Sequence, residues 1–230
     1  NVEGTLFAAI RDNDMAQLQS LSIERAALHP VVLADAWIEA AKYDRLEMLE
    51  YLLQHTDVSP TALDDHKRTA LHYATSADVA KWLIKKGAIV TARDVDRRSP
   101  LHSAVERNQI EVAQVLADVM VDFDLADAAG ERALYLAARL GRIEIAKLLV
   151  AAGAQMLARN ERGLTTLHAA AGAGQSHMIH YFVEDLRVNV DVRSFNELTP
   201  LHVSGSCHRV ELMISRYQLD AMRLEQQQQQ

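Results

Sequence analysis

Ten histidines stand in the 230-residue chain, and histidine is the side chain that most often binds metal or moves protons near neutral pH. His177 and His180 are three residues apart, which on a helix puts both imidazoles near one face. A two-histidine metal site needs further ligands and groups that orient them. No carboxylate or cysteine is spaced to supply these, so the pair reads as exposed helix surface. Cys207 directly precedes His208. A nucleophile and its base must face each other and be held by a third group, which adjacency on a helix does not provide. There is no phosphate-cradling glycine loop, no His-Glu-x-x-His and no Gly-x-Ser-x-Gly. No catalytic residue, metal ligand or cofactor is expected, and the chain is not expected to be an enzyme.

Four other histidines fall in a phrase that returns along the chain. It reads Thr69-Ala70-Leu71-His72, Ser99-Pro100-Leu101-His102, Arg132-Ala133-Leu134-Tyr135, Thr165-Thr166-Leu167-His168 and Thr199-Pro200-Leu201-His202, with starts 30, 33, 33 and 34 residues apart. A second segment follows it. Ile110-Glu111-Val112-Ala113 returns as Ile143-Glu144-Ile145-Ala146, and the run 147–154 echoes 81–88. Periods of this length mark stacked supersecondary units. Thr or Ser opening the phrase caps a helix by accepting a backbone N–H. Pro100 and Pro200 take first-turn positions that need no donor. Leu71, Leu101, Leu134, Leu167 and Leu201 then point into the stack, and pairs such as Ala137-Ala138 let helices approach closely. Gly141 and Gly174 close the first helix, and Gly87 and Gly153 the second.

Two weaker units come earlier, at Gly4-Thr5-Leu6-Phe7 and Asp35-Ala36-Trp37-Ile38. Units therefore start near residues 4, 35, 69, 99, 132, 165 and 199, and one domain is expected over 1–225, followed by a glutamine tail, 226–230. The third unit is three residues short after Ala74, which predicts a clipped first helix. The sixth has one residue too many near 184–187, which predicts a longer second helix or hairpin. In the seventh, Gly205-Ser206-Cys207-His208 replaces the alanine-rich stretch, and 217–224 reads as a last helix or a tail.

The phrase resembles the Thr-Pro-Leu-His-x-Ala signature of the ankyrin repeat, a unit of about 33 residues, and the resemblance covers nearly the whole chain. It implies an all-α fold, an ankyrin-repeat solenoid of about seven helix-pair units with hairpin-like loops. It implies that His72, His102, His168 and His202 hydrogen-bond to backbone between adjacent units. Ankyrin domains contact partners through hairpin tips and the exposed side of the first helices, which form a groove. Carried onto this sequence, that surface holds Tyr43, His66, Arg68, Arg98, Arg107, Arg139, Leu140, Arg162, Leu164, Phe195 and Leu198. Leu140, Leu164, Phe195 and Leu198 are apolar at positions the repeat leaves exposed, and exposed apolar clusters mark interaction sites. Arg98, Arg107, Arg139 and Arg162 read as a basic line, arginine being favoured at interface anchors. The implied function is a protein–protein interaction module or scaffold that binds along this groove. The alternative is a substrate-recruiting or regulatory domain of a larger enzyme whose catalytic part lies outside this chain.

Composition narrows the partner. The apolar fraction is 49% and the charged fraction 24%, as in soluble globular chains. Aromatic residues make up only 5%, so the core is built from Leu, Ile, Val and Ala, which suits closely packed helices. A formal net charge of -7 gives no global attraction to phosphate backbones, so the partner is expected to be another protein and not nucleic acid in general. No run approaches 18 apolar residues, so no membrane insertion is expected. With the single Cys207 no intrachain disulfide can form, which suits an intracellular, cytoplasmic setting. A chain opening on Asn-Val-Glu-Gly is expected to be part of something longer.

Overall fold

The computed structural model describes residues 2–21, 28–119, 122, 124–205 and 207–228. They fall into two compact units, Asn1–Val121 and Asp122–Gln230. No strand occurs among the described residues.

The first unit holds four helix pairs. They are α1 (Val2–Asp12) with α2 (Met15–Ser20), α3 (Pro30–Lys42) with α4 (Leu46–His55), α5 (Ala70–Tyr73) with α6 (Ala77–Lys85), and α7 (Pro100–Glu106) with α8 (Ile110–Val119). The second holds three: α9 (Ala133–Leu140) with α10 (Ile143–Ala151), α11 (Thr166–Gly172) with α12 (Ser176–His180), and α13 (Pro200–Val203) with α14 (His208–Gln228). Each first helix packs on its own partner and on the first helix of the next pair: α1 on α3, α3 on α5, α5 on α7, and in the second unit α9 on α11 and α11 on α13.

Small side chains make this packing possible. Ala36, Ala40 and Ala41 of α3, Ala104 of α7, Ala137 and Ala138 of α9, and Ala169, Ala170 and Ala171 of α11 are all buried. The phrase leucines Leu71, Leu101, Leu134 and Leu167 are buried with them, while Leu201 is only half-buried. The turn after most first helices uses one left-handed residue. Gly141 and Gly174 supply it in two pairs, and Asn13, Asp44 and Asn108 supply it in three others; Asn and Asp tolerate that region better than other side chains.

The open carbonyls at the end of a first helix are closed by a long side chain from the next pair. Arg45 donates through Nε to the Ile10 carbonyl at 3.2 Å and through Nη2 to that of Arg11 at 2.9 Å. Arg107 donates to the His72 carbonyl, and Gln175 to that of Arg139 at 3.2 Å.

The irregular units behave as their lengths require. The short third unit keeps only four residues of first helix, and α6 restarts at once on Ser76, whose Oγ accepts the Val79 N–H at 3.2 Å. The surplus residue of the sixth unit is absorbed in a π-helical turn, Tyr181–Asp185, where the Leu186 N–H reaches back to the Tyr181 carbonyl at 3.2 Å. Single π turns are the usual way a helix takes in one extra residue. Two expectations are refined. The second first helix begins at Pro30, five residues before Asp35, with proline at its first position. The chain's end is one 21-residue helix, α14, that runs unbroken from His208 through 217–224 into the glutamines.

Candidate interaction surface

Five tips precede the phrase, and each is tied by one side chain placed five residues before the phrase begins. Asp64 Oδ1 accepts the N–H groups of His66 and Arg68 at 2.9 and 2.8 Å. Asp94 does the same for Asp96 and Arg98 at 2.9 and 2.8 Å, and Asp127 for Ala129 and Glu131, both at 2.9 Å. Asn160 holds Arg162 and Leu164 at 2.9 and 3.0 Å. Ser194 holds Asn196 and Leu198 at 3.3 and 3.2 Å. The same residue's backbone N–H donates to the carbonyl four residues on in every case, at 2.9–3.0 Å. Short oxygen-bearing side chains suit this role because they satisfy turn amides that no helix or sheet reaches. Neighbouring tips are also stitched together: the Val95 N–H donates to the His66 carbonyl at 3.0 Å, and the Glu161 N–H to that of Ala129 at 3.2 Å.

Two of the phrase histidines, His72 and His168, lock a tip of the next unit to their helix, as the resemblance implied, whereas His202 is bonded only to Thr199 among the described residues. In α11, His168 Nδ1 receives the Thr165 N–H at 3.2 Å and lies 2.9 Å from Thr165 Oγ1. This is a capping box with histidine in the place usually held by Glu or Gln. Because Nδ1 accepts, the ring proton sits on Nε2, which donates to the Leu198 carbonyl at 2.8 Å. His72 repeats the arrangement, with Nε2 3.1 Å from the Arg98 carbonyl. Burial pushes both imidazoles below the ordinary histidine range, against the opposing pull of those carbonyls. His102 and His202 complete the box in α7 and α13.

The residues assigned to the surface divide by how free they are. Tyr43 and His66 in the first unit, and Arg162 and Phe195 in the second, are exposed. Phe195 is 63% exposed on its tip, with the Arg159 guanidinium 5.7 Å from its ring centre. Leu140 and Leu198 are half-buried. Leu164 is a correction: it is only 8% exposed, because an aliphatic side chain at that tip position gains by folding onto the helices. Arg68 and Arg98 occupy the equivalent position and stay half-exposed.

Four arginines are already answered within their units, so the basic line is largely internal pairing. Arg68 Nε lies 3.1 Å from Asp94 Oδ2, Arg98 3.5 Å from Glu106, and Arg139 3.1 Å from Glu131; Arg107 is committed to the His72 carbonyl. Burial alone would raise the Asp94 carboxyl, but the Arg98 N–H, the Arg68 guanidinium and the Asp96 N–H outweigh it and hold the pKa below the usual range.

Sequence reasoning missed Phe7, Asp35 and Tyr73, which line a cleft with Tyr43. Tyr73 directly follows the histidine of its phrase, and this was the available signal. Elsewhere, His180 Nδ1 lies 3.1 Å from the Tyr217 hydroxyl, and His177 is exposed. Cys207 is half-buried, and His208 faces Glu211 at 3.7 Å. Among the described residues no group of three or more His, Cys, Asp or Glu is placed to hold a metal ion. None of their helices is long and apolar enough to cross a membrane.

The sequence profile of ankyrin repeats, in three copies, matches residues 6–94 and 78–160. The chain is 24% identical over 177 residues to the human transient receptor potential cation channel subfamily A member 1, covering 72% of this chain and 16% of the channel. It is 25% identical over 269 residues to alpha-latroinsectotoxin-Lt1a of Latrodectus tredecimguttatus, covering 94% of this chain and 19% of the toxin. The chain thus spans less than a fifth of either relative. Among solved structures, the ankyrin repeat domain of Bcl-3, a member of the IkappaB protein family, matches with a TM-score of 0.73 at 24% identity, over 92% of this chain and 97% of that one. At that identity the likeness speaks for the fold alone.

Proposed function

Since the chain belongs to the ankyrin-repeat family, a family of protein-interaction modules, we propose that it holds a partner polypeptide along the tips and first helices of its units. The observation that carries this is the construction of the tips. Their backbones are fixed by the recurring Asp, Asn or Ser loop, while the side chains between stay in solvent. A rigid frame that presents free side chains loses little conformational entropy on binding. The exposed contacts are Tyr43 and His66 in one unit and Arg162 and Phe195 in the other. Arg68, Arg98, Arg107, Arg139, Leu140 and Leu198 shape the frame beneath them. The partner is a protein, because an overall charge of -7 repels a phosphate backbone.

A second reading has one observation in its favour. The chain spans 16% and 19% of two much longer relatives, which fits a module that recruits a substrate or regulator for a larger polypeptide. Both readings use the same surface.

The test places a photo-crosslinking residue at His66 or Phe195, and as controls at Lys85 of α6 or Glu144 of α10, in the native full-length protein. Partner peptides are expected on the tip positions. Attachment from the second-helix positions alone overturns the surface assignment. In parallel, Phe195→Ala with Arg162→Glu is expected to weaken partner binding about tenfold, or ~1.4 kcal/mol, at an unchanged melting temperature. Arg162 is chosen over Arg139 because a carboxylate at 139 would face Glu131 and perturb the fold itself.

A further inference from the structure

A cleft of about 670 Å³ opens on the first unit, where α1 and α3 meet α5 and the Asp64 tip. Phe7, Tyr43 and Tyr73 bring aromatic rings to its lining, and Asp35, Glu39 and Asp64 bring carboxylates. The cations on the lining, Arg11 and Lys42, stand at the C-terminal ends of α1 and α3. Lys42 is bonded to Glu39 at 3.4 Å. The Lys42 ammonium lies 5.7 Å from the Tyr43 ring centre and the Arg68 guanidinium 5.9 Å from that of Tyr73, but among the described residues neither is ion-paired with Asp35 or Asp64. Asp64 accepts the Tyr73 hydroxyl at 2.7 Å and two backbone N–H groups, all neutral donors that leave its charge in place. Arg68, on the same tip, is paired with Asp94.

Asp35 is the telling residue. It is half-buried, and among the described residues its carboxylate has no hydrogen bond and no ion pair. Burial, and then the charges of Asp65, Asp64 and Glu39, raise its carboxyl above the usual range. The fold thus holds a partly desolvated carboxylate among like charges, at the wall of an aromatic-lined cleft. A cation placed there relieves repulsion already present, and in partly desolvated surroundings that attraction exceeds its value at an open surface. The rings favour a cation with a hydrocarbon stem, since aromatic faces attract both. The carboxylates disfavour anionic partners, nucleic acid and acidic lipid surfaces alike.

We propose that this cleft receives a lysine or arginine side chain from an extended segment of the partner polypeptide, its charged end set among Asp35, Asp64 and Asp65 and its stem against the rings of Phe7, Tyr43 and Tyr73. The proposal rests on the reading that partners bind along tips and first helices, and it names what the first unit selects.

The test selects short random peptides displayed on phage against the whole chain, then measures the winners as synthetic fluorescent peptides. Asp35→Asn with Asp65→Asn removes two charges and keeps the side-chain shapes. Tyr43→Ala reports whether a peptide occupies the cleft at all. Selected peptides are expected to share a Lys or Arg, to weaken about tenfold when it is replaced by Gln, and to weaken equally on the double Asn variant. Asp35→Asn alone relieves repulsion, so its melting temperature should hold or rise. Peptides that lose binding on Tyr43→Ala yet lack a shared basic residue, or ignore the Asn variant, overturn the cation inference and leave the surface reading standing. Peptides indifferent to Tyr43→Ala overturn both for this unit. Self-association of the chain that disappears on Tyr43→Ala would assign the cleft to a second copy and overturn the proposal too.

Discussion

His168 and His202 sit at the same place in the same phrase, yet replacing them should have very different effects. His168 is 2% exposed, and its ring makes two backbone connections, to the Thr165 N–H at 3.2 Å and the Leu198 carbonyl at 2.8 Å. His168→Ala strands a buried amide, which costs about 1–3 kcal/mol, and removes a second bond worth about 1 kcal/mol. A part-filled cavity adds about 1–2 kcal/mol. The total is roughly 3–6 kcal/mol. His202 is exposed and among the described residues makes only the local box, with the Thr199 N–H at 3.2 Å. Its loss resembles losing a helix cap, about 0.5–2 kcal/mol. Urea denaturation of the two variants beside the parent measures the difference, read from midpoints at constant slope. Amide exchange at Thr165 should rise far more in His168→Ala than exchange at Thr199 rises in His202→Ala. A further variant, His168→Gln, restores the usual capping-box residue and should recover about 1 kcal/mol. Equal destabilisation at 168 and 202 would refute the claim that the ring ties helix to tip.

Three other outcomes follow from the same geometry. Leu134→Ala and Leu167→Ala, each at a side chain 1% exposed, should cost about 2–5 kcal/mol apiece; chemical denaturation showing losses below about 1 kcal/mol at both would show that they are not core. His72 and His168 have depressed pKa values, so the fold favours their neutral form. Their stability contribution is complete above about pH 6.5 and is lost as pH falls through the lower folded values, because protonated Nδ1 can no longer accept the Thr N–H. Denaturation midpoints across that range should flatten in a His72→Gln, His168→Gln variant. Gly163 has φ +74°, and a Cβ there would crowd the Phe195 backbone nitrogen and lie 2.6 Å from Phe195 Cγ. Gly163→Ala should therefore cost more than the about 1 kcal/mol expected at Gly87, where φ is +99° and nothing lies within 4 Å; thermal melts of the pair decide it.

How far the sequence could be read depended on whether a feature is written in one letter or in several. The phrase leucines keep their identity through all five clear units, and the capping Thr or Ser through four of them, so the repeat and its helices were legible even though the turn residue varies among Gly, Asn and Asp. The tip anchor was not, although it stands at a fixed offset from the phrase. Asp64, Asp94, Asp127, Asn160 and Ser194 do one job with three residue types, and a search on identity passes over them. Pro30 marks the start of α3 in plain sight, five residues before the weak phrase at Asp35. The surplus residue of the sixth unit was legible as a length, but its place as a π turn depends on Phe182 staying buried.

The site was less legible than the fold because charge is not availability. Arg68, Arg98 and Arg139 look alike in sequence to Arg162, and only the folded chain reveals partners such as Asp94, 26 positions beyond Arg68. Asp35 is the converse case, an ordinary acidic letter whose lack of a partner emerges only when Asp64 and Asp65 are folded beside it. In a repeat protein these two kinds of charge do different work. Paired charges hold one tip to the next, as Arg68 with Asp94, or a tip to its own first helix, as Arg98 with Glu106 and Arg139 with Glu131, and belong to stability. A charge left among its own kind weakens the free fold by an amount that a partner of opposite sign gives back on binding. Selectivity on this scaffold is therefore better sought where the repeat leaves electrostatic debts unsettled than where arginines are most numerous.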